Sequence, residues 1–232
     1  MLMTKYHPDT RFITDYAAGS LPFSQALCVS AHLHYCDDCR HKVEQLSSLG
    51  SFMFDELEAQ QNDADAMEQS FNELMSRIDD LPEARFVAKS QAANDNRTQR
   101  LPSALHKLTR GDLDSLQWHS IGKYFSYSDL DIGDKARETS LFSIKAGGNV
   151  PRHRHKGDEI TVVLKGSFSD QDDHYQAGDF IVRTRGEMHT PVAAQDEDCL
   201  CLSTLDAPIQ MTNWFYRLLM PFIKASAQSS RV

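Results

Sequence analysis

The chain has 232 residues, enough for two domains of about 100 residues each. Its hydrophobic share of 41% and charged share of 25% suit a water-soluble protein, and no apolar run approaches the ~20 residues a membrane-spanning helix needs. The net charge of −9 is uneven: residues 1–90 hold 7 Lys+Arg against 15 Asp+Glu, leaving 17 against 18 in the remainder. The first part therefore repels phosphate backbones, which disfavours direct nucleic-acid binding there and favours a basic protein partner.

The first eight residues lack the charged start and apolar core of a secretory signal, so a cytoplasmic location is expected. Apolar spacing predicts a first helix from about Asp9 to Ala18, with Phe12, Ile13, Tyr16 and Ala17 on one side and Gly19 and Pro22 breaking it. A second runs from Pro22 through Phe23, Ala26, Leu27, Ala31 and Leu33 to about Tyr35. A third opens near Cys39 and repeats Val43, Leu46, Leu49, Met53 and Leu57 at three- and four-residue steps. A fourth, Asp65 to Leu81, carries Met67, Phe71, Leu74, Met75 and Ile78 on one stripe and stops at Pro82. The polar tract from Lys89 to Arg100 has no apolar periodicity and reads as a linker.

Beyond it the texture changes to short β-rich runs: Glu138 to Lys145, Ile160 to Leu164, Gly166 to Ser169, Asp179 to Arg183 and Cys199 to Leu205. That rhythm predicts an antiparallel barrel or jelly roll. A last segment, Trp214 to Ile223, reads as a short helix against it.

Five cysteines form an odd set whose close pairs suit metal or redox chemistry better than a disulfide framework. His32-x3-Cys36-x2-Cys39 sits at the junction of the second and third helices. A Cys-x2-Cys pair can present two sulfurs to one zinc ion across a tight turn, and His32 lies one helical turn earlier. Cys39, near a helix start, is expected to gain thiolate character from the dipole. The fourth ligand is open among His7, Cys28, His34 and His41.

Together, His7-Pro8, the run from Tyr16 to Pro22 and His32-x3-Cys36-x2-Cys39-Arg40 resemble the zinc-binding anti-sigma domain of the ChrR group. That resemblance implies Zn2+ held by His7, His32, Cys36 and Cys39, and a fold in which three helices bundle while the fourth extends to grip a sigma factor.

Gly147-x5-His153-Arg-His155-x3-Glu159-x6-Gly166 reproduces the first motif of the cupins, and Gly178-x7-Gly186-x2-His189 matches their second. Residues two apart on a strand face the same side, so His153 and His155 can point into one barrel while Glu159 and His189 arrive from neighbouring strands. Three imidazoles and a carboxylate suit a divalent metal with positions left open: Zn2+ first, with Fe, Mn, Ni or Cu also compatible. Thr184 replaces the usual proline and Ala193 the frequent asparagine of the second motif, neither at a ligand position. His106, His119 and His174 fall outside the pattern. Cys199 and Cys201 share a strand face, as inert buried thiols or as targets of a reactive species.

The expected fold class is two-domain, α plus all-β: a four-helix anti-sigma domain (residues 1–88), a linker (89–101) and an antiparallel cupin barrel (102–225). Resemblance to the ChrR group implies a non-enzymatic anti-sigma factor. It would bind an extracytoplasmic-function sigma factor 1:1, contact neither nucleic acid nor membrane, and release its partner when the cupin domain senses singlet oxygen or organic hydroperoxides. The rival reading is a metal-dependent cupin oxygenase or thiol-oxidising enzyme carrying a structural zinc module. A third makes Cys36 and Cys39 a redox switch in their own right.

Overall fold

A computed structural model describes residues 4–57, 64–79, 101–109 and 111–212. The 89–100 stretch of the expected linker and the expected helix from Trp214 to Ile223 lie outside the described residues.

Helix α1 (Thr10–Ala17) starts where the Asp9 side chain accepts the Phe12 amide at 3.0 Å, and it gives way to Gly19 at φ +69°. Helix α2 (Phe23–Tyr35) follows Pro22, and α3 (Asp37–Asp55) begins two residues after α2 ends. Between them Cys36 is extended, and Arg40 turns back to cap α2, its Nη1 donating to the Leu33 carbonyl at 2.5 Å. Helix α4 is Ala64–Asp79. A further helix, α5 (Ser103–Leu108), was not expected; it is too short for its periodicity to register.

The β region has twelve short strands: β1 (His119–Ile121), β2 (Phe125–Asp129), β3 (Glu138–Ile144), β4 (His153–Arg154), β5 (Glu159–Lys165), β6 (Ser167–Ser169), β7 (His174–Gln176), β8 (Phe180–Arg183), β9 (Met188–His189), β10 (Val192–Ala193), β11 (Cys199–Leu205) and β12 (Gln210–Met211). They form antiparallel sheets of order β1-β2-β3-β11-β5-β8, β10-β6-β7 and β12-β4-β9. Among the described residues no sheet closes on itself, so the expected barrel is a set of antiparallel sheets in a cupin-like arrangement.

The large sheet is covered on both faces. From β5, Ile160, Val162 and Leu164 join Leu202 of β11 and Leu141 of β3 in one core, while Val163 joins Ile144, Cys199 and Cys201 in another. The first of these cores also contains Ile13, Leu27, Val29 and Ala31. Helix α2 therefore lies against the sheet and α5 as well as against α1. The expectation of three helices bundled with one another did not include this packing on the sheet, and the count among the described residues is five helices rather than four. The physical reason is the pattern of α2, whose buried residues Ser24, Leu27, Cys28, Val29, Ala31 and His32 encircle much of the helix rather than forming one stripe.

By packing, Met1–Ser48 with Asn96–Val232 form one compact unit and Leu49–Asp95 a second. The division by compactness thus falls inside α3. In the second unit the apolar side chains of α4 stand exposed: Met67, Phe71 and Leu74 retain 61%, 60% and 56% of their surface. On the adjoining end of α3, Phe52, Met53 and Phe54 are exposed too.

Candidate metal centres

The structure brings His7, His32, Cys36 and Cys39 together, each offering one donor atom within 4.8 Å of the others. His7 Nδ1 lies 3.4 Å from Cys36 Sγ and 3.5 Å from Cys39 Sγ. With Zn–N near 2.0–2.1 Å and Zn–S near 2.3 Å, nitrogen and sulfur on a tetrahedral ion stand about 3.6 Å apart, so the spacing fits. His32 Nδ1 donates to the Gly178 carbonyl at 2.6 Å, which leaves Nε2 as the free donor atom. That Nε2 is buried with no hydrogen-bond partner, a costly state unless an ion satisfies it.

Of the other expected candidates for the fourth position, Cys28 is buried outside the cluster, His34 stacks edge-on against Tyr35, and His41 pairs with Glu44 at 3.3 Å. Burial lowers the His32 pKa to about 4, keeping the ring neutral as a ligand must be. Burial, then Cys36, pushes the Cys39 thiol up to about 12. A dication between the two sulfurs would supply the positive charge the thiolates need.

The second group, His153, His155, Glu159 and His189, is buried throughout. The small sheet sets it up: His153 and His189 are cross-strand partners on β4 and β9, while Glu159 opens β5. His189 Nε2 lies 2.9 Å from His153 Nε2 and 3.1 Å from His155 Nε2. Nitrogens bound at about 2.0–2.1 Å stand about 2.9 Å apart at right angles and about 3.3 Å apart at the tetrahedral angle, so these rings converge as ligands do. Their outer nitrogens are anchored where orientation requires it: His153 Nδ1 donates to the Pro151 carbonyl at 3.0 Å and His189 Nδ1 to Asp170 at 2.9 Å. His155 Nδ1 is buried and makes no hydrogen bond, lying 3.3 Å from Glu159 Oε2.

Burial lowers all three imidazole pKa values, His155 to about 4 and His189 to about 3. Burial raises that of Glu159, opposed by Ser203, whose hydroxyl donates to Oε1 at 2.5 Å. Three of these side chains, His153, Glu159 and His189, line a cavity of about 470 Å³ walled by apolar groups such as Phe125, Tyr127, Phe142 and Met211. A metal there would have an open side facing a chamber whose apolar walls are interrupted by polar groups such as Arg137 and Glu138.

Cys199 and Cys201 lie fully buried on β11, their sulfurs 3.6 Å apart, on the face that also carries Ser203. Burial, then Cys199, holds the Cys201 thiol well above its usual range. His106, His119 and His174 belong to neither cluster. The sequence reading missed Asp170, Ser203, Arg183 and the carbonyl of Gly178. Asp170 stands in an acidic turn between β6 and β7 that resembles ordinary solvated surface, yet its side chain is wholly enclosed by His189 and Arg183.

Helices bearing a His/Cys cluster, together with cupin-like sheets bearing a His/Glu cluster, define a cupin-like protein with two side-chain groups that could each hold a metal ion. The profile described as ChrR Cupin-like domain matches residues 107–207. Over 220 residues, 95% of this chain and 98% of the relative, the sequence is 30% identical to Anti-sigma-E factor ChrR of Cereibacter sphaeroides. The fold is similar to a chain in the crystal structure of Rhodobacter sphaeroides SigE in complex with the anti-sigma ChrR, with TM-score 0.69 and 28% identity, covering 88% of this chain and 99% of that one. The chain belongs to the ChrR family.

Proposed function

We propose that the protein is a cytoplasmic anti-sigma factor that binds an extracytoplasmic-function sigma factor 1:1 and keeps it from RNA polymerase. Residues 1–88 serve as the binding module, 89–101 as the connection and 102–225 as the cupin sensor. The observation that carries this reading is the exposed apolar stripe of α4, Met67, Phe71, Leu74, Met75 and Ile78, in a member of the ChrR family. An unpartnered helical stripe at three- and four-residue spacing suits docking into an apolar groove. The acidic balance of residues 1–90 suits a basic, DNA-binding client.

In this reading a structural Zn2+ is held by His7, His32, Cys36 and Cys39, and a second divalent ion by His153, His155, Glu159 and His189. The zinc would neutralise two thiolates and fix the α2–α3 junction. The cupin ion would supply a Lewis-acidic centre with open positions at the end of the apolar cavity, while Ser203 and Asp170 orient its ligands. Singlet oxygen or organic hydroperoxides reaching that cavity would weaken the complex and free the sigma factor.

The test is transcription in vitro with the extracytoplasmic-function sigma factor of the same genome and its target promoter. The protein should suppress the transcript in stoichiometric amounts, and an organic hydroperoxide should restore it. An undiminished transcript with excess protein would sink the proposal; turnover of the hydroperoxide by the cupin site, without any effect on the sigma factor, would support the oxygenase reading instead.

A further inference from the structure

One segment touches both metal clusters. At its start, Asp170 accepts from Nδ1 of the cupin ligand His189 at 2.9 Å. Towards its end, the carbonyl of Gly178 accepts from Nδ1 of the zinc ligand His32 at 2.6 Å. Between these points it holds the residues that precede His7. Asp173 accepts from Lys5 Nζ at 2.5 Å and from the Tyr6 hydroxyl, and the Tyr175 ring packs against that of Tyr6, tilted by 52° with centroids 5.0 Å apart. Asp179, fully buried, accepts the Lys5 and Tyr6 amides at 2.7 and 3.0 Å, and the Phe180 amide donates to the Tyr6 carbonyl at 3.0 Å. Two of the four zinc ligands, His32 directly and His7 through Tyr6, are thus oriented by the stretch that orients a cupin ligand.

Asp170 is shared between His189 and the Arg183 guanidinium, whose Nη2 reaches it at 2.7 Å and also reaches the Tyr175 hydroxyl at 2.8 Å. The Nε of the same guanidinium is buried and has no hydrogen-bond partner. The other oxygen of Asp170 accepts the Asp172 and Asp173 amides at 3.0 and 3.3 Å, so the same carboxylate ties His189 to the turn whose Asp173 holds Lys5 and Tyr6. Movement of Asp170 would pass to Tyr175 through Arg183, and from Tyr175 to Tyr6 and the zinc ligand that follows it.

We propose that the Asp170–Phe180 segment couples the two metal sites, so that occupancy of the cupin site changes the metal affinity of the His7/His32/Cys36/Cys39 site. Asp170 is the positioning residue at one end and Gly178 at the other. The inference rests on both clusters binding metal. Outer partners of metal ligands commonly set affinity by 10–100-fold, and coupling between two sites is reciprocal.

The experiment uses the full chain stripped of metal and titrated with cobalt(II) against a competing chelator. Sulfur-to-cobalt charge-transfer absorption reports the His/Cys site alone, because the cupin ligands contain no sulfur. The native chain is compared with Asp170→Asn and with His153→Ala, which empties the cupin site without touching the segment. Circular dichroism selects the variants that fold, and total bound metal reports the cupin site. Both variants should lose cupin metal and shift the cobalt affinity of the His/Cys site in the same direction by about fivefold or more.

Loss of cupin metal in both with the His/Cys affinity unchanged, within the ~2-fold expected of independent sites, would overturn the coupling. Undiminished cupin affinity in Asp170→Asn would overturn the role of Asp170, and a shift in Asp170→Asn without one in His153→Ala would overturn control by occupancy. Absence of the sulfur–cobalt band in the native chain would instead refute the zinc reading itself.

Discussion

Replacing Gly178 by alanine should dislodge the N-terminal residues from the sheet. At φ +96° a Cβ is strained, costing about 1–3 kcal/mol. That Cβ would also stand 2.5 Å from Thr4 Cγ2 and 2.7 Å from Tyr35 Cβ, so the chain before His7 or the end of α2 must shift. Overpacking of this kind costs a further ~1–3 kcal/mol. Gly186 provides the control, because its φ is +97° and nothing lies within 4 Å of its built Cβ. The expected difference between Gly178→Ala and Gly186→Ala is therefore the packing part alone, about 1–3 kcal/mol. Urea unfolding with slopes compared between variants measures it, and at about 2–4 °C per kcal/mol thermal unfolding should separate the two as well. Zinc retention against a chelator should fall in Gly178→Ala, since the carbonyl that fixes His32 moves with the turn. Equal midpoints and equal zinc retention for the two alanine variants would refute the docking of residues 4–7 and α2 around Gly178.

Phe71→Glu changes a side chain 60% exposed on α4, so the unfolding midpoint should move by less than the equivalent of about 0.5 kcal/mol, while sigma-factor affinity should fall by about 30-fold or more, read by calorimetric titration. Ser203→Ala removes the hydroxyl held 2.5 Å from Glu159 and should weaken cupin metal affinity about 10-fold or more in chelator competition, leaving the sulfur–cobalt band of the other site visible. Chelator treatment should lower the melting temperature of the native chain, and by less in Cys36→Ala, which has only the cupin site left to empty; an equal drop in both would refute a stabilising ion at the His/Cys cluster. The metal-free chain should lose stability as pH falls from about 6.5 towards about 4. His32 and His155 titrate near 4 when folded but near 6.5 when unfolded, so the unfolded state binds more protons across that window; a flat urea midpoint there would show that these rings are not buried neutral.

Much of the local structure was legible because period and spacing carry it. The apolar steps of α1 and α4 and the strand Cys199–Leu205 announce themselves, and the motif spacings single out seven of the eight residues of the two clusters, His7 being added only by the family resemblance. The short strands that hold the cupin group are too brief to leave a pattern: β4 and β9 are two residues each, visible only through the histidines they carry. Polar β2, Phe-Ser-Tyr-Ser-Asp, resembles a loop until it pairs with β3. The larger omission was tertiary. Helix α2 looks like a bundle helix in sequence, and only packing shows its burial shared with Ile160, Val162 and Leu202. His7 was one of several candidates for the fourth position by residue chemistry, because the strap that delivers it is fixed by Asp173 and Asp179, more than 160 positions away in the chain. Backbone carbonyls such as that of Gly178 have no signature in sequence at all.

Capture of a sigma factor by the exposed apolar face of α4 is the step on which the proposed function depends. The most direct measurement is calorimetric titration of the full, metal-loaded chain with the extracytoplasmic-function sigma factor of the same genome, followed by addition of core RNA polymerase. A saturable 1:1 complex that resists displacement by core enzyme and is lost with Phe71→Glu is the predicted result. No binding heat together with unimpeded assembly of the sigma factor on core polymerase would contradict the account.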